Sequence, residues 1–159
     1  MPVIYLETFI KASPEVVFDL SRSVDLHKSS MIHHKEESIA GIKSGLMNKG
    51  DEVTGQAKHL FKMRILKVHI TKMDCPYSFT DEMLKGDFKK MRHEHYFKPL
   101  NKGTLMIDQF YFEAPFGFFG TLINKIFLQN YMARLLTERN KEIKTVAESD
   151  QWKQFINNE

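Results

Sequence analysis

The sequence predicts an α+β protein, in which a seven-stranded antiparallel sheet is combined with two short helices and one long C-terminal helix. Three observations lead to this prediction. A strand-like run near the N-terminus is followed by two helix caps, six strand-like runs then alternate with turn residues, and a long segment of strong helix formers follows them. Because no helical pattern interrupts the six runs, we expect them to pair in order as an antiparallel meander.

The N-terminal part supplies one strand and two short helices. The run from Val3 to Ile10 is rich in β-branched and aromatic side chains, which is typical of a strand. Ser13 is a good N-cap, and Pro14 follows at the first helical position, where its missing N–H costs nothing. A second N-cap residue, either Ser23 or Asp25, predicts that another short helix begins there.

Six strand-like runs fill the region from His34 to Glu113. Segments that carry Gly, Pro, Asn and Asp separate most of them, and these are the residues that tight hairpins need. The runs are KEESIAGI, DEVTGQAK, FKMRILKVHITKM, YSFTDEML, FKKMRHEHYF and TLMIDQFYFEA. We therefore expect six consecutive antiparallel strands, with the first strand elsewhere in the same sheet.

A long helix is predicted from about Phe118 to Ala147. Its first half lies in FEAPFGFFGTLINKIFLQNYMARLL, which has more apolar surface than a single helical stripe can hold. Its second half keeps only enough apolar residues for one seam, namely Leu135, Leu136, Ile143 and Val146. In the tail, Trp152, Phe155 and Ile156 have helical spacing, which predicts a last turn packed on the body.

Length and composition favour a single domain over residues 1–159, with ordinary hydrophobic content for a soluble protein. The net charge of +3 is too balanced for a nucleic-acid-binding protein, although a transient contact with an anionic membrane surface stays open. Cys75 is the only cysteine, which favours a reducing compartment. Because neither a signal peptide nor a membrane-spanning run is apparent, we expect a cytoplasmic protein.

The order of elements and four stretches of the chain resemble the START-like superfamily, which is also called the polyketide cyclase/dehydrase or SRPBCC superfamily. Within it, the resemblance is to a bacterial subgroup of ligand-binding proteins without a defined reaction. The stretches are ASPEVVFDLSRSVDLH, GLMNKGDEVTGQAKH, FTDEMLKGDFKKMRHEHYF and GTLMIDQFYFEAPFGFFG. The resemblance implies a helix-grip fold, in which a curved sheet wraps around the long C-terminal helix and leaves a cavity for an apolar ligand.

Four polar residues interrupt otherwise apolar strand faces: Asp81, His93, His95 and Asp108. They face the cavity if the face of each strand that carries most of its apolar side chains is the inner face. A slip of one residue would replace them with Glu82, Arg92, Glu94 and Gln109. A buried carboxylate must pair, bind water or take up a proton, so we expect Asp–His contacts between neighbouring strands.

These strand faces and the first half of the helix supply the predicted ligand-binding residues. They are Phe79, Asp81, Met83, Met91, His93, His95, Phe97, Asp108, Phe110, Phe112, Phe119, Ile123 and Phe127. No catalytic residue is assigned, and the candidates are the four polar residues named above. No cofactor and no metal site are predicted, because a zinc site would need one or two ligands beyond His93 and His95.

Three functions are consistent with the sequence. The leading hypothesis is binding or transport of a small hydrophobic or amphipathic molecule, such as a lipid, a quinone or a polyketide-like compound. The alternative is a cyclase, dehydratase or isomerase, which would require a histidine within hydrogen-bond reach of a carboxylate at an open cavity. A third is an interaction protein whose cavity is closed by side chains. The identity of the ligand, the pathway and the oligomeric state stay open.

Overall fold

The computed structural model describes residues 2–31, 35–114 and 122–156, and in 122–124 it describes only the backbone. Within these ranges the chain forms seven strands and four helices. The elements are β1 (Val3–Ile10), α1 (Pro14–Ser21), α2 (Val24–Ser30), β2 (Glu37–Gly41), β3 (Glu52–His59), β4 (Lys62–Asp74), β5 (Ser78–Lys85), β6 (Lys90–Leu100), β7 (Gly103–Glu113), α3 (Leu122–Ala147) and α4 (Trp152–Ile156). The predicted fold class and order of elements are confirmed.

All seven strands belong to one antiparallel sheet with the order β1-β7-β6-β5-β4-β3-β2. The six later strands pair in sequence, as predicted, and β1 pairs with β7. The pairing of β4 with β5 shifts register between Lys67 and Val68 and again between Ile70 and Lys72. Such irregularities bend a sheet, and they help this one to curve around α3.

The two short helices begin at the serine caps. The Ser13 hydroxyl accepts a hydrogen bond from the Val16 backbone N–H at 3.4 Å, with Pro14 at the first helical position. The Ser23 hydroxyl accepts one from the Leu26 N–H at 3.2 Å, so Ser23 is the cap of α2. Each cap satisfies a backbone donor that the first helical turn leaves without an intrahelical partner.

Two apolar clusters fill the interior between the sheet and the helices. The first includes Phe18 of α1, Phe97 of β6 and Ile143 of α3. The second includes Phe110 of β7 and Leu136 of α3. The four residues predicted for the seam of α3, including Leu135 and Val146, are all buried. In α4 the predicted contacts of Trp152, Phe155 and Ile156 with the body are confirmed.

One strand continues past its predicted end. The strand β6 continues to Leu100, beyond the predicted end at Phe97, because Pro99 still lies opposite Thr104 in the pairing with β7. The helix α3 is described from Leu122, and the predicted start at Phe118 lies outside the described residues. Within the described part of the chain, no helix has both the length and the hydropathy needed to cross a bilayer.

Candidate functional site

A cavity of about 320 Å³ lies between the inner face of the sheet and α3. Its walls are mainly apolar, and α2 and strands β2 to β7 contribute residues to them. From α3 come Leu128, Met132, Leu135 and Leu136, one above the other along the helix. A cavity of this volume is within the usual range of small-molecule sites in proteins.

Polar side chains form one part of the cavity wall. Asp81 of β5 and His93 and His95 of β6 reach it from the sheet, and Arg139 reaches it from α3. Asp81 is directly opposite His93, and His95 is opposite Asp108 of β7. Opposite residues of paired strands project to the same face, so the strand register brings all three sheet residues to the cavity side.

Asp108 is the centre of this group and is 0% exposed. Its Oδ1 atom lies 2.8 Å from His93 Nε2, and its Oδ2 atom accepts a hydrogen bond from the Asn140 side-chain amide at 2.7 Å. A longer contact of 3.4 Å joins Oδ1 to the Arg139 guanidinium. The carboxylate is therefore held by strand β6 on one side and by helix α3 on the other. We call Asp81, His93, His95, Asp108, Arg139 and Asn140 the polar layer.

His95 lies between two carboxylates. Its Nε2 atom is 2.8 Å from Asp81 Oδ2, and its Nδ1 atom is 3.2 Å from Asp108 Oδ1, although the second contact lacks hydrogen-bond geometry. The His95 ring therefore joins the carboxyl groups of β5 and β7, with hydrogen-bond geometry toward Asp81.

The pKa values of the polar layer follow from its burial and its charges. Burial favours a neutral Asp108, but contacts with His93 and His95 and the charge of Arg139 outweigh it and hold the pKa of this carboxyl well below its usual range. The pKa of Asp81 is lowered too, since contact with His95 overcomes its burial. Burial, reinforced by the neighbouring His95, lowers the pKa of His93 from 6.5 to about 4. His93 is therefore neutral near pH 7.

The polar layer separates the two apolar clusters. Along β6, Met91 belongs to the second cluster and Phe97 to the first, and the two histidines lie between them. Along α3, Leu136 and Ile143 belong to opposite clusters, with Arg139 and Asn140 between them. A band of charge thus crosses an otherwise apolar interior. Because buried charges are costly unless they are paired, this band restricts how α3 can lie on the sheet.

Three members of the polar layer could also offer ligands to a metal ion. Ligand atoms of Asp81, His93 and His95 lie within 4.8 Å of one another, so Asp81 supplies a third ligand beside the two histidines. A metal would have to break the 2.8 Å contact between His95 and Asp81. The Arg139 cation, which lowers the pKa of Asp81, would also repel it. The arrangement suits hydrogen bonding better than metal coordination.

Similar folds are found among solved structures. A Thermus thermophilus protein, TTHA0849, is 18% identical, and the match covers 92% of this chain and 99% of that one with a TM-score of 0.71. A START superfamily protein from Mycobacterium smegmatis is 12% identical, with 92% and 97% covered and a TM-score of 0.70. The major latex-like protein 151 of Panax ginseng is 14% identical, with 93% and 98% covered and a TM-score of 0.66.

These matches agree with the sheet order and the long C-terminal helix described above. The chain has the START-like helix-grip fold. No protein-family model matches the sequence, and no curated protein is similar to it. Identities below 20% establish the fold alone, so the narrower resemblance to a bacterial ligand-binding subgroup stays a prediction.

The START-like fold brings about half of the predicted site residues to the cavity. Those that line it are Phe79, Asp81, Met91, His93, His95 and Phe110. Met83, Phe97, Asp108 and Phe112 lie on the expected strand faces but behind the wall, where they pack in the apolar clusters or, for Asp108, in the polar layer.

The helix contributes differently from the prediction. Phe127 is 52% exposed and outside the cavity, because its ring is turned to the flank of α3 and stacks on Tyr131 with centroids 6.3 Å apart. The predicted ligand residues Phe119 and Ile123 cannot be placed, since Phe119 and the side chain of Ile123 lie outside the described residues.

The contribution of α3 to the polar layer was not predicted. Arg139 and Asn140 belong to a charged segment whose composition is typical of a solvent-facing helix, yet both are buried. A signal was present, since Leu136, Arg139, Asn140 and Ile143 have the i, i+3, i+4, i+7 spacing of one helix face. Two polar residues on an apolar stripe indicate a buried polar contact, as found here with Asp108.

Proposed function

We propose that this protein binds a small apolar molecule that carries one polar or acidic oxygen group, inside the START-like cavity. The observation that carries the proposal is the cavity itself, about 320 Å³ of space with mainly apolar walls and one polar patch. Filled with water, it would hold about ten molecules at liquid density. Releasing that water from apolar walls would favour a ligand of matching shape.

Arg139 is the group best suited to hold the polar end of the ligand. Its guanidinium has five N–H donors, and within the described part of the chain its only hydrogen bond is the 3.4 Å contact with Asp108. The side chain lines the cavity and is buried. A carbonyl, phenolic or carboxylate oxygen at this point would gain a charge-assisted hydrogen bond in surroundings of low dielectric.

The binding proposal can be tested with two fluorescent probes, 1-anilinonaphthalene-8-sulfonate and its uncharged analogue N-phenyl-1-naphthylamine. We expect both to bind, and the sulfonate to bind about tenfold more tightly through Arg139. Ala57 is buried and lines the cavity, so Ala57→Phe should place a ring in it and abolish binding of both probes. Ala40→Phe is the matched control, because Ala40 is exposed on β2.

The two parts of the proposal have separate outcomes. Unchanged probe binding by a folded Ala57→Phe variant would show that the cavity is not the binding site. Equal affinity for the two probes, unaltered by Arg139→Gln, would instead reject Arg139 as the anchor. Native mass spectrometry of the purified protein, followed by extraction, would identify a molecule that copurifies in the cavity.

An enzymatic function is the second candidate, and a specific contact favours it. His95 lies within 2.8 Å of Asp81 at the wall of the cavity, which is the geometry that a cyclase, dehydratase or isomerase would require. The neutral His93 donates from Nε2 to Asp108, which leaves a lone pair on Nδ1. His93 would act as the base, while the Arg139 guanidinium would stabilise an enolate oxygen.

Proton exchange separates an enzyme from a carrier. The probe is 2-tetralone in deuterated buffer, with NMR detection of deuterium entering the position next to the carbonyl. Catalysed enolisation predicts exchange above the buffer rate that is lost in His93→Gln. Exchange at the buffer rate, in a protein that binds 2-tetralone, would exclude enolisation of this ketone and favour simple binding.

A further inference from the structure

The hairpin of β3 and β4 extends beyond the rest of the sheet. The pairing of β4 with β5 begins at Lys67, opposite Lys85, whereas the pairing of β4 with β3 continues to Lys62, opposite His59. The five residues of Lys62–Leu66 therefore pair with β3 alone among the described strands. At about 3.3 Å per residue, the hairpin extends roughly 16 Å past the end of β5.

A phenylalanine occupies the tip of this hairpin. Phe61 is 99% exposed, and both turn residues have positive φ, 50° at Leu60 and 64° at Phe61. A two-residue turn of this kind favours Asn and Gly. The matching turn between β6 and β7 has the expected Asn101, followed by Lys102. Within the described part of the chain, neither the turn geometry nor the apolar clusters account for Phe61, and its exposed ring is available for contact with another molecule.

More apolar surface lies beside the hairpin, at the start of α3. Ile126 is 50% exposed and Phe127 52% exposed. Phe127 stacks on Tyr131, whose hydroxyl lies 3.0 Å from Nδ1 of His59 in β3. The helix start is thus adjacent to the hairpin. Because His59 and Tyr131 also line the cavity, this apolar surface borders the cavity.

Positive charge accompanies these exposed apolar groups. Lys62 and Lys125 are exposed, and neither forms an ion pair with another described residue. The nearby acidic residue Asp87 is paired with Arg64 of the hairpin. We call Phe61, Lys62, Lys125, Ile126 and Phe127 the tip surface. Its combination of unpaired lysines and exposed apolar side chains complements an anionic lipid surface.

We propose that the tip surface docks on an anionic phospholipid bilayer, with Phe61 among the acyl chains and the two lysines at the level of the phosphates. A narrow two-stranded projection offers little area for a protein partner, which usually covers about 800 Å² on each side. A bilayer needs no matching groove, and an aromatic ring flanked by lysines suits its interface. Docking would let an apolar ligand pass between the bilayer and the cavity without crossing water.

Sedimentation with vesicles tests this docking. We expect the protein to pellet with vesicles of phosphatidylcholine and phosphatidylglycerol, and less with phosphatidylcholine alone. Phe61→Ser should weaken binding at least about tenfold, because a phenyl group no longer leaves water. Lys62→Glu should weaken it about tenfold on the anionic vesicles only. The matched controls, Tyr77→Ser and Lys102→Glu, change exposed residues in the turns at the opposite end of the sheet and should bind like wild type.

A tryptophan at the tip gives a second measurement. Phe61→Trp should show a blue shift and quenching by brominated acyl chains when vesicles are added, whereas Trp152 in the wild type should not respond. Full binding by Phe61→Ser, or no quenching at position 61, would overturn the proposal. It would also fail if the wild type binds neither kind of vesicle. Dissociation of a dimer by Phe61→Ser would then identify a second copy of the chain as the partner of the tip surface. Ala57→Phe, which blocks the cavity, should still pellet, so a failure of ligand binding remains distinguishable.

Discussion

The side-chain amide of Asn140 on α3 donates a 2.7 Å hydrogen bond to the Asp108 carboxylate on β7, deep between the helix and the sheet. Both residues are buried, and the bond joins the two halves of the fold within the polar layer. The long helix is therefore positioned by a specific polar contact as well as by apolar packing.

Substitution of either partner of this bond should destabilise the protein, and the loss should be larger for Asp108 than for Asn140. Asp108→Asn would leave the Arg139 guanidinium without its buried counter-charge, and we expect a loss of about 3 to 5 kcal/mol in the free energy of unfolding. Asn140→Ala removes one hydrogen bond and should cost about 1 to 3 kcal/mol. Urea unfolding measures both, with the exposed Lys141→Ala as control. Losses of similar size in all three variants would contradict a central role for Asp108.

Stability should fall as the pH falls from about 6.5 to about 4. The pKa of His93 is about 4 in the folded protein and near 6.5 in the unfolded chain, so the unfolded chain binds more protons in this range. The free energy of unfolding should decrease on the order of 3 kcal/mol across it. Below about pH 4, protonation of Asp81 and Asp108, whose pKa values are lowered by folding, would destabilise it further.

Urea unfolding at several pH values checks this dependence. His93→Gln keeps a donor for Asp108 but cannot titrate, so its stability should change less between about pH 6.5 and pH 4. His69 is a suitable control, since it lies in β4 outside the polar layer and His69→Gln should retain the wild-type slope. An unchanged slope in His93→Gln would show that another group causes the acid sensitivity.

The turn at the tip of the hairpin should be more stable with ordinary turn residues. Leu60 and Phe61 both have positive φ, so replacing them with Asn and Gly should raise the free energy of unfolding by about 1 to 2 kcal/mol. The reverse change in the other turn, Asn101→Leu, should lower it by about 1 kcal/mol. Thermal unfolding measures both. A loss of stability in the Asn-Gly variant would indicate that Leu60 or Phe61 stabilises the fold.

Gly41, at the end of β2, should be intolerant of any side chain. Its φ is 73°, and a Cβ atom there would lie 2.2 Å from the Glu52 carbonyl oxygen of β3. Gly50 has a similar φ of 88° but has open space around its Cβ position. Both alanine variants carry backbone strain of about 1 to 2 kcal/mol, whereas Gly41→Ala adds a clash of about 1 to 3 kcal/mol. Equal stabilities in urea would contradict the close approach of β2 to β3.

The strands and their inward faces were predictable because their patterns are local. Period-2 alternation in β6 places Met91, His93, His95 and Phe97 on one face, and all four are buried. The same alternation placed Asp81 and Asp108 beside them. The alternative register through Glu82 and Glu94 would have buried more charge with fewer apolar side chains.

The position of the helix was less predictable, because it depends on contacts between distant residues. Arg139 and Asn140 belong to a segment whose composition is typical of charged surface, and their burial follows from pairing with Asp108, about thirty residues earlier. Phe127 fails as a cavity residue for a related reason. An apolar segment broader than one stripe does not specify which of its side chains remains outside.

Local patterns in the chain were enough to establish the α+β class, the consecutive pairing of the six later strands, the Ser13 cap and the polar residues of the inner sheet face. These features follow from periodicity, turn residues and caps, which act over a few residues. The folded arrangement was needed to show which polar residues meet as a buried layer, how much space remains beside them, and that Phe61 extends into solvent next to the cavity. Those features depend on how a curved sheet and a helix pack, and this packing is fixed by contacts between residues far apart in the chain.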